Sequence, residues 1–346
     1  MSSRPKIDEI DIRILKIMLK DSRISFAKIA KDCKMSTSAI RRRFINLKRS
    51  GVITGSTIQV RLDRLGYKGI AFLAIEADVY KEKSVLKFLE ELPQLFLSHL
   101  QIGKHNIVSI LIIKELEDLA RILKSLRSNP HISKVDTAIS MNLSHMYLLE
   151  NLVIEPFNET SYTNETLPDD EHQFFDALTL TDRASKKLDF ITKLIEKKQV
   201  TPTLELDKID LDIIRLLSQN SRVSFRKLAK KLGVTTKTVI QRYKKLRKHV
   251  IPSATITLNL RKLGYVCNAI FCIKVVSQNK ITSMVERIIQ LSNVISVIGC
   301  VGGIDVLAIA PLANFAQLFK IKQEITKISD INNLEILLEK TYSTWP

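Results

Sequence analysis

Thr37, Ser38, Arg41, Arg42 and Lys48 fall on one side of a helical repeat, and 199 residues later Thr236, Lys237, Thr238, Gln241, Lys244 and Lys245 occupy the matching side. These are the side chains that read nucleic acid. Arginine forks onto guanine and glutamine onto adenine, while hydroxyls and lysines meet phosphate. Ser36 and Thr235 open the two segments and also belong to the candidate surface. Arg43 and Arg242 carry two readings: groove or phosphate contact beside Arg41-Arg42, or ion pairs with the recurring Asp11 and Asp210 that set helix packing. Arg23 and Arg222 recur in the same way.

The elements that must position these groups are themselves duplicated. Ile10–Ile40 and Ile209–Val239 run in step, with 11 of 31 positions identical, and a fixed-offset repeat governs the whole architecture. In each copy Ile10, Ile14, Ile17 and Met18, or Ile209, Ile213, Leu216 and Leu217, form the apolar stripe of a first helix. Ser25 and Ser224 cap a short second helix, with Phe26, Ile29, Ala30 and Cys33, or Phe225, Leu228, Ala229 and Leu232, facing inward. After a tight turn, Ser36 and Thr235 cap the third helix, which buries Ile40, Phe44 and Leu47, or Val239, Tyr243 and Leu246. Gly233 suits the left-handed corner of that turn, where copy one has Lys34. This is the helix-turn-helix pattern, whose third helix enters the major groove.

Charge supports the same partner. Residues 1–62 hold 15 Lys+Arg against 5 Asp+Glu and residues 207–262 hold 15 against 3, so of the net +18 the rest of the chain contributes −4. Cationic charge confined to two modules points to double-stranded DNA rather than to general solubility.

After each basic module an alternating strand runs to Leu-Gly-Tyr, and the pattern becomes strand-helix-strand-strand-helix-strand. In copy one it covers Ile70–Ala77, Lys81–Leu92, Leu95–Ile102, Asn106–Ile113, Glu115–Ser128 and Ile132–Leu143. In copy two it covers Asn268–Val276, Ile281–Leu291, Val294–Cys300, Val306–Ala310, Asn314–Ile328 and Ile331–Tyr342. A βαββαβ unit is a ferredoxin-like sheet with helices on one face. Its bare apolar face predicts pairing with a second unit, as an intrachain pseudo-dimer, a homo-oligomer or both.

The fold class expected is therefore α+β: two winged or helix-turn-helix domains (1–62 and 207–261) alternating with two ferredoxin-like domains (63–150 and 262–346). The intervening 151–206 has no counterpart, and an amphipathic helix is expected within Arg183–Gln199. Cys33, Cys267, Cys272 and Cys300 lack metal-ligand spacing and read as reduced core thiols. No metal, cofactor or catalytic triad is indicated. No apolar run approaches the roughly 20 residues of a membrane helix, and the charged N-terminus lacks a signal-peptide core, so a cytoplasmic protein without a membrane partner is expected.

The set Ile10-Asp11-x-x-Ile14-Leu15, Asp21-Ser22-Arg23-Ile24-Ser25, Ile29-Ala30, Arg43-Phe44-x-x-Leu47 and Ser50-Gly51-Val52-Ile53, largely repeated from Ile209 to Leu246, resembles the Lrp/AsnC family of feast/famine regulators. The resemblance spans nearly everything but the linker, although ordinary members carry one copy of each module. It implies a sequence-specific transcriptional regulator whose ferredoxin-like domain serves assembly and senses an amino-acid effector. The family's Gly-x-x-Asp hairpin is matched by Gly302-Gly303-Ile304-Asp305, whereas copy one has Gly103-Lys104-His105-Asn106, with an amide in place of the acid. Gly and Asp or Asn also suit a tight hairpin for backbone reasons alone. Because Arg41-Arg42 stands opposite Ile240-Gln241, an imperfect palindrome is expected, richer in guanine contacts on one side. Two alternatives share parts of the pattern. One is a weakly specific chromatin-organising protein. The other follows a branch similar to the family that decarboxylates siroheme, for which His99, His105, His131 and His145 of copy one are the available histidines.

Overall fold

The computed structural model describes residues 6–140, 151–156, 206–341 and 344–346. The helix expected within Arg183–Gln199, the strand ends at Leu143 and Tyr342, and His145 lie outside the described residues.

Each half begins with three helices: α1 (Glu9–Lys20), α2 (Phe26–Asp32) and α3 (Thr37–Arg49), then α6 (Lys208–Gln219), α7 (Phe225–Leu232) and α8 (Thr236–His249). Strand β1 (Ile53–Ile58) or β6 (Ala254–Leu258) follows. Both strands stop short of the Leu-Gly-Tyr expected to end them. A 3-10 turn (Leu62–Leu65, Leu260–Leu263) intervenes, closed by Gly66 and Gly264 at φ +82° and +95°, a conformation costly for other residues.

Then come β2 (Gly69–Ala77), α4 (Glu82–Glu90), β3 (Leu95–Ile102), β4 (Ile107–Ile113), α5 (Leu116–Arg127) and β5 (Ile132–Ser140). The second half matches them with β7 (Cys267–Val275), α9 (Ile281–Ile288), β8 (Ser296–Gly299), β9 (Val301–Gly302), β10 (Val306–Leu312), α10 (Phe315–Thr326) and β11 (Ile331–Lys340). The strand expected over Val294–Cys300 is thus two short pieces on either side of Cys300.

The described residues gather into two compact units, and each draws on both halves of the repeat. In the first unit, β1 and β6 pair antiparallel, with Ser56 opposite Ile256 and Ile58 opposite Ala254. Trp345, the only tryptophan, is buried against β6 through a pair of backbone hydrogen bonds with Leu258.

In the second unit, the strands run β3-β4-β2-β5 in one half and β8-β10-β7-β11 in the other. Strand alternation divides their side chains. Ala71, Leu73 and Ile75 pack under α4 and α5, and Ala269, Phe271 and Ile273 under α9 and α10. The opposite faces supply Ile70, Phe72, Ile110, Ala138, Ile270, Cys272, Ile298, Leu307 and Leu337 to one shared core. The bare faces expected from the sequence therefore pair within a single chain. Two reciprocal exchanges stitch the edges together: β3 joins β11 (Ile102 opposite Leu338) and β9 joins β5 (Gly302 opposite Ala138). Cys33, Cys272 and Cys300 are buried free thiols, and burial pushes those of Cys272 and Cys300 up to about 12.

Candidate nucleic-acid interface

The two trihelical heads are pinned by their own caps. Asp8 accepts from the Asp11 amide and Asp207 from the Asp210 amide, starting α1 and α6. Ser25 and Ser224 do the same for α2 and α7. Ser36 Oγ accepts from the Ala39 amide at 3.2 Å and Thr235 Oγ1 from the Thr238 amide at 3.1 Å. Those two oxygens complete helix starts, and each cap contributes about 1 kcal/mol. The corner before α3 is left-handed in both copies: Gly233 has φ +67° and Lys34 +52°. Lysine therefore adopts there the conformation that glycine takes without strain.

Of the side chains expected to face DNA, Thr37, Ser38, Arg41, Arg42, Lys48, Thr236, Lys237, Gln241, Lys244 and Lys245 are exposed, and Thr238 is half-buried. Thr238 Oγ1 bonds Thr235 Oγ1 at 2.8 Å and Ser38 Oγ bonds Ser36 Oγ at 3.0 Å. The Arg41 guanidinium lies 5.7 Å from the Phe26 ring, a cation–π distance that steadies a long side chain. Lys245 Nζ lies 3.8 Å from Asp210.

Arg43 and Arg242 are engaged inward. Arg43 Nη1 bridges Asp8 (2.7 Å) and Asp11 (2.9 Å), and Arg242 Nη1 bridges Asp207 (2.7 Å) and Asp210 (3.1 Å). Burial alone would raise Asp8. The Asp11 amide and Arg43 outweigh it and hold the carboxyl below its usual range, while for Asp11 burial prevails and the shift is upward. Of their two sequence readings, the geometry gives these arginines the ion pair tying the third helix to the first.

Arg23 and Arg222 do something that the sequence alone left undefined. Arg23 lies over Phe225 (4.2 Å) and Tyr243 (5.1 Å) of the other head and donates to the Val223 carbonyl at 3.0 Å. Arg222 answers over Phe26 (4.8 Å) and Phe44 (5.3 Å), donating to the Ile24 carbonyl at 3.3 Å. Ser22 and Ser221 meet between them, Oγ to Oγ, at 2.7 Å. This explains why Phe26 and Phe44, expected inside their own head, are only half-buried. Each reserves a ring face for the opposite arginine. The signal was present as an identical Ser-Arg and a matched aromatic pair in both copies, but it named no partner.

The hairpins at residues 103–106 and 302–305 are also accounted for internally. Asp305, 1% exposed, accepts from the Val275 amide (3.0 Å), Gln278 Nε2 (2.8 Å) and Lys274 Nζ (3.1 Å). Burial works to raise it, and these donors bring it below the usual carboxylate range. Asn106 makes the same staple without charge: its Oδ1 accepts from the Ala77 amide at 2.8 Å and its Nδ2 donates to Glu82 at 2.6 Å. Gly103 and Gly302 have φ +157° and +122°. A Cβ would lie 2.3 Å from Leu337 at Gly103 and 2.4 Å from the Thr137 carbonyl at Gly302, while Gly303 donates to that carbonyl at 2.8 Å. These hairpins are where one sheet closes against the other. Sequence reasoning missed a group that gathers beside them, His105 with Asp136 and Glu335.

Short-turn trihelical heads with outward cationic third helices define a helix-turn-helix DNA-binding protein. The model of the AsnC-type helix-turn-helix domain matches residues 7–48 and 206–247. The HTH-type transcriptional regulator LrpA of Pyrococcus horikoshii is 33% identical over 130 residues, 38% of this chain and 89% of that protein. An uncharacterised HTH-type transcriptional regulator of Pyrococcus abyssi is 29% identical over 150 residues, 43% of this chain and 99% of that protein. The chain belongs to the Lrp/AsnC family of helix-turn-helix transcriptional regulators, as a tandem of the family's unit. Among solved structures, the siroheme decarboxylase NirDL aligns over 98% of this chain and 95% of its own, with 14% identity and a TM-score of 0.54. At that identity the likeness is one of fold.

Proposed function

We propose that the chain is a self-contained pseudo-dimeric regulator that reads an imperfect palindrome in double-stranded DNA, with the paired ferredoxin-like sheets acting as its assembly and effector unit. The observation that carries the reading is the division of labour among the basic residues of the two heads. Arg43 and Arg242 tie the third helix to the first within each head and Arg23 and Arg222 join the two heads, while Arg41, Arg42 and Lys244, with Gln241, stay exposed on the third helices. Structural arginines alone would not require a second, exposed set. Half-sites lie about one helical turn, roughly 34 Å, or a multiple of it apart, and the side facing α3 is the richer in guanine.

The test is a footprint of the Arg41→Ala/Arg42→Ala variant on a site selected from random DNA. Protection is expected to fall about 10- to 100-fold at one half-site, the loss of one or two base-reading contacts, and to persist at the other. Equal loss over both half-sites contradicts the assignment. Competition with random DNA at physiological salt separates a specific regulator from a chromatin-organising protein, since phosphate-driven binding collapses as salt rises.

The fold likeness to a siroheme decarboxylase makes an enzyme the second reading. The interior of the sheet pair favours the first. Its cavity holds about 90 Å³, room for a handful of heavy atoms, and its ionisable lining is Asp136, Glu335, His105 and the Cys272 thiol. A tetrapyrrole bearing carboxylates calls for a far larger and cationic site. A Soret band on adding a tetrapyrrole to the purified chain would overturn this preference.

A further inference from the structure

The cavity inside the sheet pair has a construction of its own. Matched positions of the two halves line it together: Phe72 with Ile270, Ala138 with Leu337, Val108 with Leu307, and Asp136 with Glu335. It therefore lies on the local pseudo-twofold axis. At one matched pair the two sides differ in polarity, with His105 facing in from one half and Ile304 from the other. A dimer of identical subunits would present the same residue twice, and the fused chain does not.

The polar atoms at this end have one character. His105, with a side chain 5% exposed, is bonded through Nε2 to Asp136 at 2.8 Å. Burial works to raise Asp136, and Lys134 and His105 outweigh it to keep the carboxyl below its usual range, hence ionised. A carboxylate only accepts, so Nε2 carries the proton toward Asp136, and Nδ1 is the ring nitrogen turned toward the second half. There it stands 4.0 Å from Glu335 Oε1, too far for a hydrogen bond. Glu335 Oε1 and Thr137 Oγ1 are both buried without a hydrogen-bond partner. A ring nitrogen, a carboxylate oxygen and a hydroxyl oxygen thus line one small cavity, each with capacity to accept, while its remaining walls are largely apolar. Glu335 Oε1 and Thr137 Oγ1, buried and unpaired, are each costly to leave so, and the carboxylate in particular calls for a donor.

We propose that this cavity binds a small primary amine on an apolar stem, its ammonium donating to His105 Nδ1, Glu335 Oε1 and Thr137 Oγ1, and that it excludes the corresponding α-amino acid. A primary ammonium has three N–H donors and no acceptor, which fits the set. An α-carboxylate would be carried into a cavity already lined by Asp136 and Glu335, with Glu76 3.7 Å from His105. A further negative charge brought among these carboxylates is repelled. The proposal rests on the reading of the sheet pair as the effector unit and gives that unit's ligand a chemical class.

Calorimetric titration of the full chain with isoamylamine, leucine and isovalerate tests it, because the three share one stem and differ only in the head. Isoamylamine is expected to bind, leucine at least about tenfold more weakly, a difference of about 1.4 kcal/mol, and isovalerate not at all. Glu335→Gln and, separately, Thr137→Val are each expected to weaken isoamylamine by about tenfold or more, as loss of a buried partner does. Glu117→Gln, on the exposed surface of α5, is expected to leave it unchanged. Leucine binding as tightly as the amine, or no heat from the amine up to about 10 mM, overturns the proposal. DNA retention, measured separately, keeps the two readings apart: a chain that binds the amine but no duplex refutes the regulator and spares the site.

Discussion

Asp305 and Asn106 hold matched hairpins with opposite polarity. The acid receives from Gln278 and Lys274, whereas the amide gives to Glu82, and each accepts the amide of the strand before it. The family pattern marked Asp305 as a ligand group, yet its hydrogen-bonding capacity is taken up within its own half. A pH dependence follows. A carboxyl lowered on folding contributes stability that is complete above its unfolded value, near 3.8, and is lost as pH falls through the folded one. Asp305→Asn should keep the Val275 contact, as Asn106 keeps that of Ala77, and cost about 1 kcal/mol at pH 7. Asp305→Leu, which strands the Val275 amide, should cost about 2–3 kcal/mol. Urea unfolding at pH 7 and again near pH 3 is the measurement. Asp305→Asn should lose less stability than the parent between the two, and an identical loss would mean that Asp305 titrates normally.

At the scale of elements, periodicity made most of the fold legible. Apolar stripes in Ile10–Met18 and Ile209–Leu217 specify helices and their buried faces, the largely apolar run Ile70–Ala77 specifies a strand, and the structure agrees to within a few residues. What stayed hidden was contact over long sequence distances. Nothing in Ser22-Arg23 says that its guanidinium crosses to Phe225 and Tyr243, and nothing in Asp136 or Glu335 says that both meet one histidine. Strand ends were misjudged where a 3-10 turn or Cys300 interrupts an apolar run, because hydrophobicity continues while the hydrogen-bond ladder does not. The arginine interlock has a direct consequence. Arg23→Leu keeps volume but removes the carbonyl contacts and the cation–π stacking, so stability should fall by about 1–3 kcal/mol. Arg222→Leu should cost a similar amount. The double variant should cost clearly less than their sum, because both arginines close one seam through Ser22 and Ser221. Strict additivity in denaturant unfolding would show two independent surface contacts instead.

At the scale of the molecule, duplication places two helix-turn-helix heads of different sequence in one polypeptide. In a regulator assembled from separate subunits, occupancy of a two-sided operator depends on subunit association and steepens with concentration. Here β1 with β6, the Arg23 and Arg222 seam and the shared core of the sheets all form within one chain. Both heads are then present at any dilution, which is the limit of high effective concentration. Protection of the two half-sites should rise together and with first-order dependence on the chain. Two separable transitions, or a second-order rise, would mean that the heads of different chains do the pairing. The same lock limits reach. Inserting about five base pairs between half-sites turns one of them to the far side of the duplex, and inserting about ten carries it roughly 34 Å away on the original side. A flexible pair of heads would recover affinity at ten, but heads fixed to each other through a strand pair and two half-buried guanidinium contacts cannot follow. Both insertions should therefore leave only the affinity of a single half-site, and recovery at ten base pairs would show that the seam between the heads opens on DNA.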